Sequence, residues 1–327
     1  MQIFLTFDYE LFFGSKAGSI EKCMIEPTQR LLEIAERNAI KLVFFVDIGY
    51  YIHLKKQNSK KAANDTWLFD EQIRQMIDGG HDVQLHIHPH WEKAIYESDS
   101  WVFDMKNTYK LADFPDSEIE RIVSNYKTAL DDLTQKKSFA FRAGGWCIQP
   151  FHRLEQLFMK LGIRIDSSVF PGAKYSTDQY DYDFTNAPKK DSYRFQSDVT
   201  IEAENGFFTE IPITSYRYSP LFYWKLYILG RLFPKQHKMV GDGVFLSQPG
   251  KKKSVLTNYT WNHASSDGYY ASKLNDIAKR NQDNSNMVVI GHPKGMTEYS
   301  FKQLERFIQH QKKKKHTFVT FSTYNSQ

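Results

Sequence analysis

Gly80-His81-Asp82-Val83-Gln84-Leu85-His86-Ile87-His88-Pro89-His90-Trp91 decides how the whole chain is read. Its start alternates in the manner of a strand, and Pro89 stops it. On an extended backbone, residues two and four apart share a face, so His86, His88 and His90 can point the same way. Pro89 places His90 on the loop just past the strand end. A lone histidine reads as a hydrogen-bonded structural residue. Three at alternate positions read as a metal site, because imidazole is the commonest protein ligand for a borderline-soft ion. Two or three imidazoles with a carboxylate make an open catalytic centre.

Outward from that stretch, strands and helices alternate. Ile3-Phe4-Leu5-Thr6-Phe7 reads as a buried first strand and ends in Asp8-Tyr9-Glu10, two acids on one strand face where the chain leaves the sheet. Residues 27–37 carry Leu31, Leu32, Ile34 and Ala35 at helical spacing, and 41–46 form a second buried strand. This β-α-β unit implies a parallel pair. Residues 55–66 are polar and read as a loop before a helix over about 70–76, closed by Gly79-Gly80. Residues 92–115 are irregular and aromatic. Ser117 with Glu120 has capping-box spacing for a helix to about 133. A fourth strand, 138–146, carries Arg142 and ends in a glycine turn before Trp146; a helix over 150–161 and a fifth strand, 164–168, with Asp166 follow.

Residues 171–190 read as a long loop and 210–214 as another strand. The segment 216–233 is the most aromatic and basic of the chain, either a helix packed on the fold or an interfacial helix facing lipid. A helix over 269–280 leads to the strand 287–293, with His292 at its end. A helix (301–311) and a strand (318–321) close the chain. Strands that repeatedly end in polar residues imply a barrel-like α/β fold. No repeat and no long linker interrupt it, so 1–327 reads as one domain with an aromatic insertion at about 215–260.

Composition sets the remaining bounds. With 41% hydrophobic and 25% charged residues the chain is of folded, soluble character. Its 19 Tyr and 25 Phe suit a carbohydrate-handling cleft and core packing equally. The net charge of +5 is modest, and Lys312-Lys313-Lys314-Lys315 reads as a solvated helix end rather than a nucleic-acid patch. Cys23 and Cys147 stand far apart without a CxxC motif, so no disulfide framework is expected. The chain enters a strand at once, without a leader pattern, and has no run of eighteen apolar residues. The expected location is the cytoplasm, with peripheral contact at the inner membrane face.

Asp8, Glu10, His86, His90, Arg142, Asp166 and His292, in this order at strand ends, resemble the polysaccharide deacetylases. These form the NodB homology family, carbohydrate esterase family 4. The resemblance runs from Thr6 to about Phe321. It implies a distorted seven-stranded (β/α) barrel that removes acetyl groups from glycans with one divalent metal. Gly80-His81-Asp82 followed by His86 and His90 is the most specific match, and it makes those two histidines metal ligands. The family's usual Thr-Phe-Asp-Asp is here Thr6-Phe7-Asp8-Tyr9-Glu10, so the second acid is displaced by one. The resemblance then implies Asp8 as base and Glu10 as ligand. It also implies Arg142 as partner of the base, Asp166 as the acid orienting His292, and His292 as general acid. The usual prolines after the arginine and the Asp-Trp after Asp166 are missing. Trp146, Tyr9 and His88 are assigned to the substrate.

The function so implied is a metal-dependent hydrolase that removes an N-acetyl group from a sugar in surface-polysaccharide or lipid-linked glycan synthesis. Zn2+ is the expected metal, with Co2+, Ni2+ or Mn2+ as alternatives. The expected partner is an N-acetylated sugar or glycan, and no nucleic acid. A deformylase or other small-amide hydrolase would use the same site. Loss of Glu10 as ligand would leave a glycan-binding barrel without turnover.

Overall fold

The computed structural model describes residues 1–325. Its contacts divide the chain into two compact units where the sequence alone reads one domain. The first comprises Met1–Leu42 and Ile213–Asn325, the second Val43–Pro212.

In the first unit the strand Gln2–Tyr9 is buried from its second residue onward. It pairs in parallel with Asn286–Gly291, from Gln2 opposite Asn286 to Phe7 opposite Gly291. The next residue on each strand is therefore Asp8 and His292, so the register itself delivers an acid and an imidazole to the same end. Thr317–Phe318 adds a short parallel pairing at Gln2 and Ile3. The helix Glu26–Arg37 buries Leu31, Leu32, Ile34 and Ala35, as its spacing predicts. The helix Glu298–Lys313 starts at a reciprocal cap. Thr297 Oγ1 accepts from the Ser300 N–H at 3.0 Å, and Ser300 Oγ from the Thr297 N–H at 2.8 Å. Its buried face of Phe301, Leu304, Phe307 and Ile308 follows helical spacing.

The expected aromatic insertion is a small assembly of its own. Ser215–Tyr218 and Thr260–His263 form an antiparallel pair. The helix Pro220–Leu232 follows, with Ser219 Oγ accepting from the Phe222 N–H at 3.3 Å. Tyr218, Phe222, Tyr223 and Val255 make its core.

The second unit is built on a sheet ordered Tyr193–Phe195, Phe208–Glu210, Ile165–Asp166, Ala140–Ala143, Asp82–Ile87, Val43–Asp47. All neighbours are parallel except the first two. Val43–Asp47 and Asp82–Ile87 are buried at every position, the mark of strands covered on both faces. Gln84 locks two of these strands, its Oε1 accepting from the N–H groups of Phe139 and Ala140 at 3.0 and 2.9 Å.

Several element boundaries differ from the sequence reading, each for a local reason. The expected loop 55–66 gives way to the helix Lys60–Asp78, because Ser59 Oγ caps it at the Ala62 N–H, 3.1 Å away. The helix Asp116–Thr134 has Pro115 at its start and no side-chain cap, so the Ser117–Glu120 box does not form. The expected long loop 171–190 contains the hairpin of Lys174–Ser176 and Asp181–Asp183. The strand expected at 210–214 ends at Glu210. Among the described residues, no helix is long and apolar enough to cross a membrane. Cys23 and Cys147 are both free and buried.

Candidate active site

The first unit assembles a compact acid–base cluster. Asp8 and Glu10, two apart at the end of one strand, are both nearly buried. His292 Nε2 lies 3.6 Å from Asp8 Oδ2 and 3.8 Å from Glu10 Oε1. Its other nitrogen, Nδ1, lies 2.7 Å from Asp267 Oδ2, while the His292 backbone N–H donates to Asp267 Oδ1 at 2.8 Å. A carboxylate only accepts, so Nδ1 carries the proton and Nε2 is the nitrogen turned to the two acids. Burial alone would lower the imidazole pKa. The Asp267 charge and hydrogen bond, with Asp8 and Glu10 behind them, outweigh burial and hold it above its ordinary value.

Asp267 takes the orienting position at His292 that the sequence reading gives to Asp166. The chain brings it there by a short parallel run. The Ile290 N–H donates to Ala264 O at 3.0 Å, and the Ser266 N–H donates to Ile290 O at 2.9 Å. Asp267 thus arrives beside His292. Neither composition nor spacing links residues 264–267 to 290–292, and only the Ser265-Ser266-Asp267-Gly268 turn signal marks them.

Lys294 is the second residue that sequence reasoning misses. It is 2% exposed. Its Nζ donates to Glu10 Oε1 at 2.8 Å and also to Leu11 O. The rings of Phe12 and Phe13 flank it, their centroids 5.0 and 4.7 Å away. A lysine two residues past a strand-end histidine, between Pro293 and Gly295, was the available signal. Glu10 is thereby held as a carboxylate by a fixed cation, with Oε1 engaged.

In the second unit the histidine stretch ends the strand Asp82–Ile87. His88 keeps extended dihedrals (φ −110°, ψ 100°), and a 3₁₀ turn, Pro89–Lys93, begins after it. The alternation that puts His86 and His88 on one face therefore stops before His90. His90, on the turn past the strand as Pro89 predicts, has its ring 5.4 Å from that of His88. The His86 and His88 rings meet edge to face at 4.8 Å. His90 is enclosed by Trp91, Phe103 and Tyr109, with centroids 5.2, 5.0 and 6.0 Å away. His86 Nδ1 lies 2.8 Å from the Arg142 carbonyl. That carbonyl can only accept, so His86 is protonated at Nδ1 and presents Nε2 as a lone pair, the tautomer a metal needs.

Arg142 is fully buried. Its Nε donates to Ser167 O at 2.8 Å, Nη2 to Ser167 Oγ at 3.2 Å, and the guanidinium lies over Phe45 at 4.2 Å. Asp166 accepts from Ser168 Oγ at 2.9 Å and from the Ser168 N–H at 3.1 Å. Burial raises its pKa, against the hydrogen bonds of Glu210 and Ser168 and the Arg142 charge. Glu210 on the neighbouring strand is pushed much further up, by burial and then by Asp166. Trp146 sits at a left-handed turn (φ 61°), half-buried, edge-on to Phe170 at 5.3 Å. Tyr9, assigned to substrate from the sequence, has no exposed surface, and burial drives its phenol pKa well up. Glu10, His86 and His88 are buried side chains of metal-ligand type.

No family model matches the chain, and no curated protein matches it. Solved structures do. A GH57 branching enzyme from Thermococcus kodakaraensis aligns over 100% of this chain and 71% of its own, at 10% identity and a TM-score of 0.51. A protein described as a polysaccharide deacetylase, from Mycobacterium smegmatis, aligns over 98% of this chain and 92% of its own, at 17% identity and a TM-score of 0.48. A family 4 carbohydrate esterase from Streptomyces lividans aligns over the same shares at 12% identity and a TM-score of 0.42. The structures this chain is similar to thus include a polysaccharide deacetylase and a family 4 carbohydrate esterase, and the likeness is one of fold alone, that of an α/β chain.

Proposed function

We propose that this protein is a metal-dependent hydrolase that removes an N-acetyl group from a sugar of a surface polysaccharide or lipid-linked glycan. The observation that carries the reading is His292, held at Nδ1 by Asp267 with Nε2 turned to Asp8 and Glu10. An imidazole fixed in that way, beside a buried acid at the end of the neighbouring strand, suits paired proton transfers.

His86 and His88 are the imidazoles we propose as ligands of one divalent ion, Zn2+ by donor type, and the family resemblance assigns Glu10 to it as the carboxylate. His86 fits through its fixed tautomer, His88 through the extended backbone it shares with His86, and Glu10 through a carboxylate that Lys294 keeps ionised. This set takes His88 in place of His90, which the family spacing favours. The ion would supply Lewis acidity toward the amide carbonyl and the attacking water. Asp8 accepts a proton from that water. His292, charged through Asp267, delivers a proton from Nε2 to the departing amine. Arg142, anchored on Ser167, is the arginine that the family resemblance pairs with the base. Trp146 offers an apolar edge for a sugar ring.

The test pairs elemental mass spectrometry of the purified protein with acetate release from N-acetylated amino sugars. Near-stoichiometric metal that is lost in Glu10→Ala, His86→Ala and His88→Ala but kept in His90→Ala supports the assignment. Loss in His90→Ala with retention in His88→Ala restores the family spacing. A protein that takes up no divalent ion and releases no acetate sinks the hydrolase.

A further inference from the structure

The helix Pro220–Leu232 has a second face that the fold leaves uncovered. Its inner side, Phe222 and Tyr223, is spent on the small aromatic core with Tyr218 and Val255. Its outer side carries Leu221, Trp224, Ile228 and Leu232, spaced three and four apart, and Phe233 follows directly. These five are 47–66% exposed, with Leu221 at 63% and Trp224 at 51%. Trp224 Nε1 is bonded inward to Leu256 O at 3.2 Å, so the indole turns only carbon outward. A run of large apolar side chains on one helix face is not the scattered exposure of an ordinary surface.

Charge says what covers it. Residues 213–262 contain eight Lys or Arg against one acid, Asp242, while the whole chain of 327 residues carries only +5. Lys225, Arg231, Lys235, Lys238, Lys252 and Lys253 are all exposed. Asp242 is already engaged by Lys16 and the Ser19 N–H. An exposed apolar face among lysines and arginines, without acids, complements a surface that is apolar below and negative above. A helix of 13 residues is about 20 Å long, too short to span a bilayer but suited to lie in its interface.

We propose that the Pro220–Leu232 helix docks this protein on an anionic phospholipid bilayer. The apolar stripe enters the acyl boundary and the surrounding lysines and arginines meet the headgroups. The proposal stands apart from the chemistry at His292 and needs neither metal nor substrate.

The experiment is flotation of the full chain with vesicles of phosphatidylcholine containing roughly one-third phosphatidylglycerol, against phosphatidylcholine alone. The protein is expected to float with the anionic vesicles and to be released by high salt. Trp224→Ser with Ile228→Ser, both at exposed positions, should lower partitioning about tenfold or more. Lys225→Ala with Arg231→Ala should do the same. Asp8→Asn should float like the parent. An unchanged urea midpoint in the surface variants shows that they fold. Parent protein left at the bottom of the gradient with anionic vesicles, or bound equally to both compositions, overturns the proposal. So does a dimer in sedimentation velocity that Trp224→Ser dissolves, since the face would then belong to a second copy.

Discussion

Replacing Lys294 with methionine tests the inner workings of the site without any substrate. Nζ sits 2.8 Å from Glu10 Oε1, and the two side chains are 3% and 7% exposed. Methionine keeps most of the volume between Phe12 and Phe13 but removes the cation. Glu10 is then a buried carboxylate without its charge partner, and Leu11 O loses a donor. Removing one member of a buried pair costs about 3–5 kcal/mol, because the other charge stays desolvated. Neutralising both, with Glu10→Gln added to Lys294→Met, strands no charge and should cost less than Lys294→Met alone. Urea unfolding of the four proteins at neutral pH gives the double-mutant cycle, with a coupling of roughly 2 kcal/mol or more expected. Chelator is present throughout, since a divalent ion on Glu10 would neutralise it and mask the term. A single-variant loss below about 1 kcal/mol, or a double variant that simply adds the two single costs, would refute the claim that Lys294 holds Glu10 ionised.

Other outcomes follow from the same geometry. Asp267→Asn removes the largest raising influence on His292, so its titration followed by NMR should shift downward, and turnover should fall about 10²–10⁴-fold. Gly144→Ala would place a Cβ 2.6 Å from both His88 Nδ1 and Ile87 O, so metal uptake should weaken and stability fall by about 1–3 kcal/mol, read by calorimetry. Burial pushes the Glu92 carboxyl up, but hydrogen bonds from His53, Arg121 and Tyr126 outweigh it and bring its pKa from 4.5 down to about 2. That pairing contributes above the ordinary carboxylate value and is lost as pH falls through about 2. Glu92→Gln should therefore cost about 1–2 kcal/mol at neutral pH, after discount for its part exposure, and flatten the acid limb of the stability profile.

What the sequence could show was whatever is written in a local period or a single spacing. The buried strands Gln2–Tyr9, Val43–Asp47 and Asp82–Ile87 announce themselves because an apolar run has no other stable use beside helices of matching period. The polar residues at strand ends stand out for the same reason: Asp8 and His86 are each the last residue but one of their strands, and Glu10 and His292 directly follow Gln2–Tyr9 and Asn286–Gly291. Asp267 does not. It reaches His292 through a parallel alignment of residues 264–266 with Ile290, a long-range pairing that leaves no mark in either segment. The family resemblance gives the orienting role to Asp166, which also ends a strand. Its hydrogen bonds run to Ser168, and its partner across the sheet is Glu210, 44 residues away in sequence. Boundaries failed where a single polar atom decides them, as Ser59 Oγ does at the start of Lys60–Asp78.

The displaced acid of the first motif has a physical reading in the same terms. On an extended strand, adjacent side chains face opposite sides, and residues two apart share one. The strand here continues through Tyr9, so Asp8 and Glu10 share a face while Tyr9 turns to the other and is wholly enclosed. Both acids consequently reach the neighbourhood of His292 Nε2, at 3.6 and 3.8 Å. Two carboxylates on one buried face repel, and one would ordinarily take up a proton. Lys294, bonded to Glu10, supplies the compensating charge from the turn that follows His292. The spacing of the acids and the buried lysine thus belong to one solution: each makes sense only with the other, and an acid at position 9 instead of Glu10 would point away from His292 and Lys294.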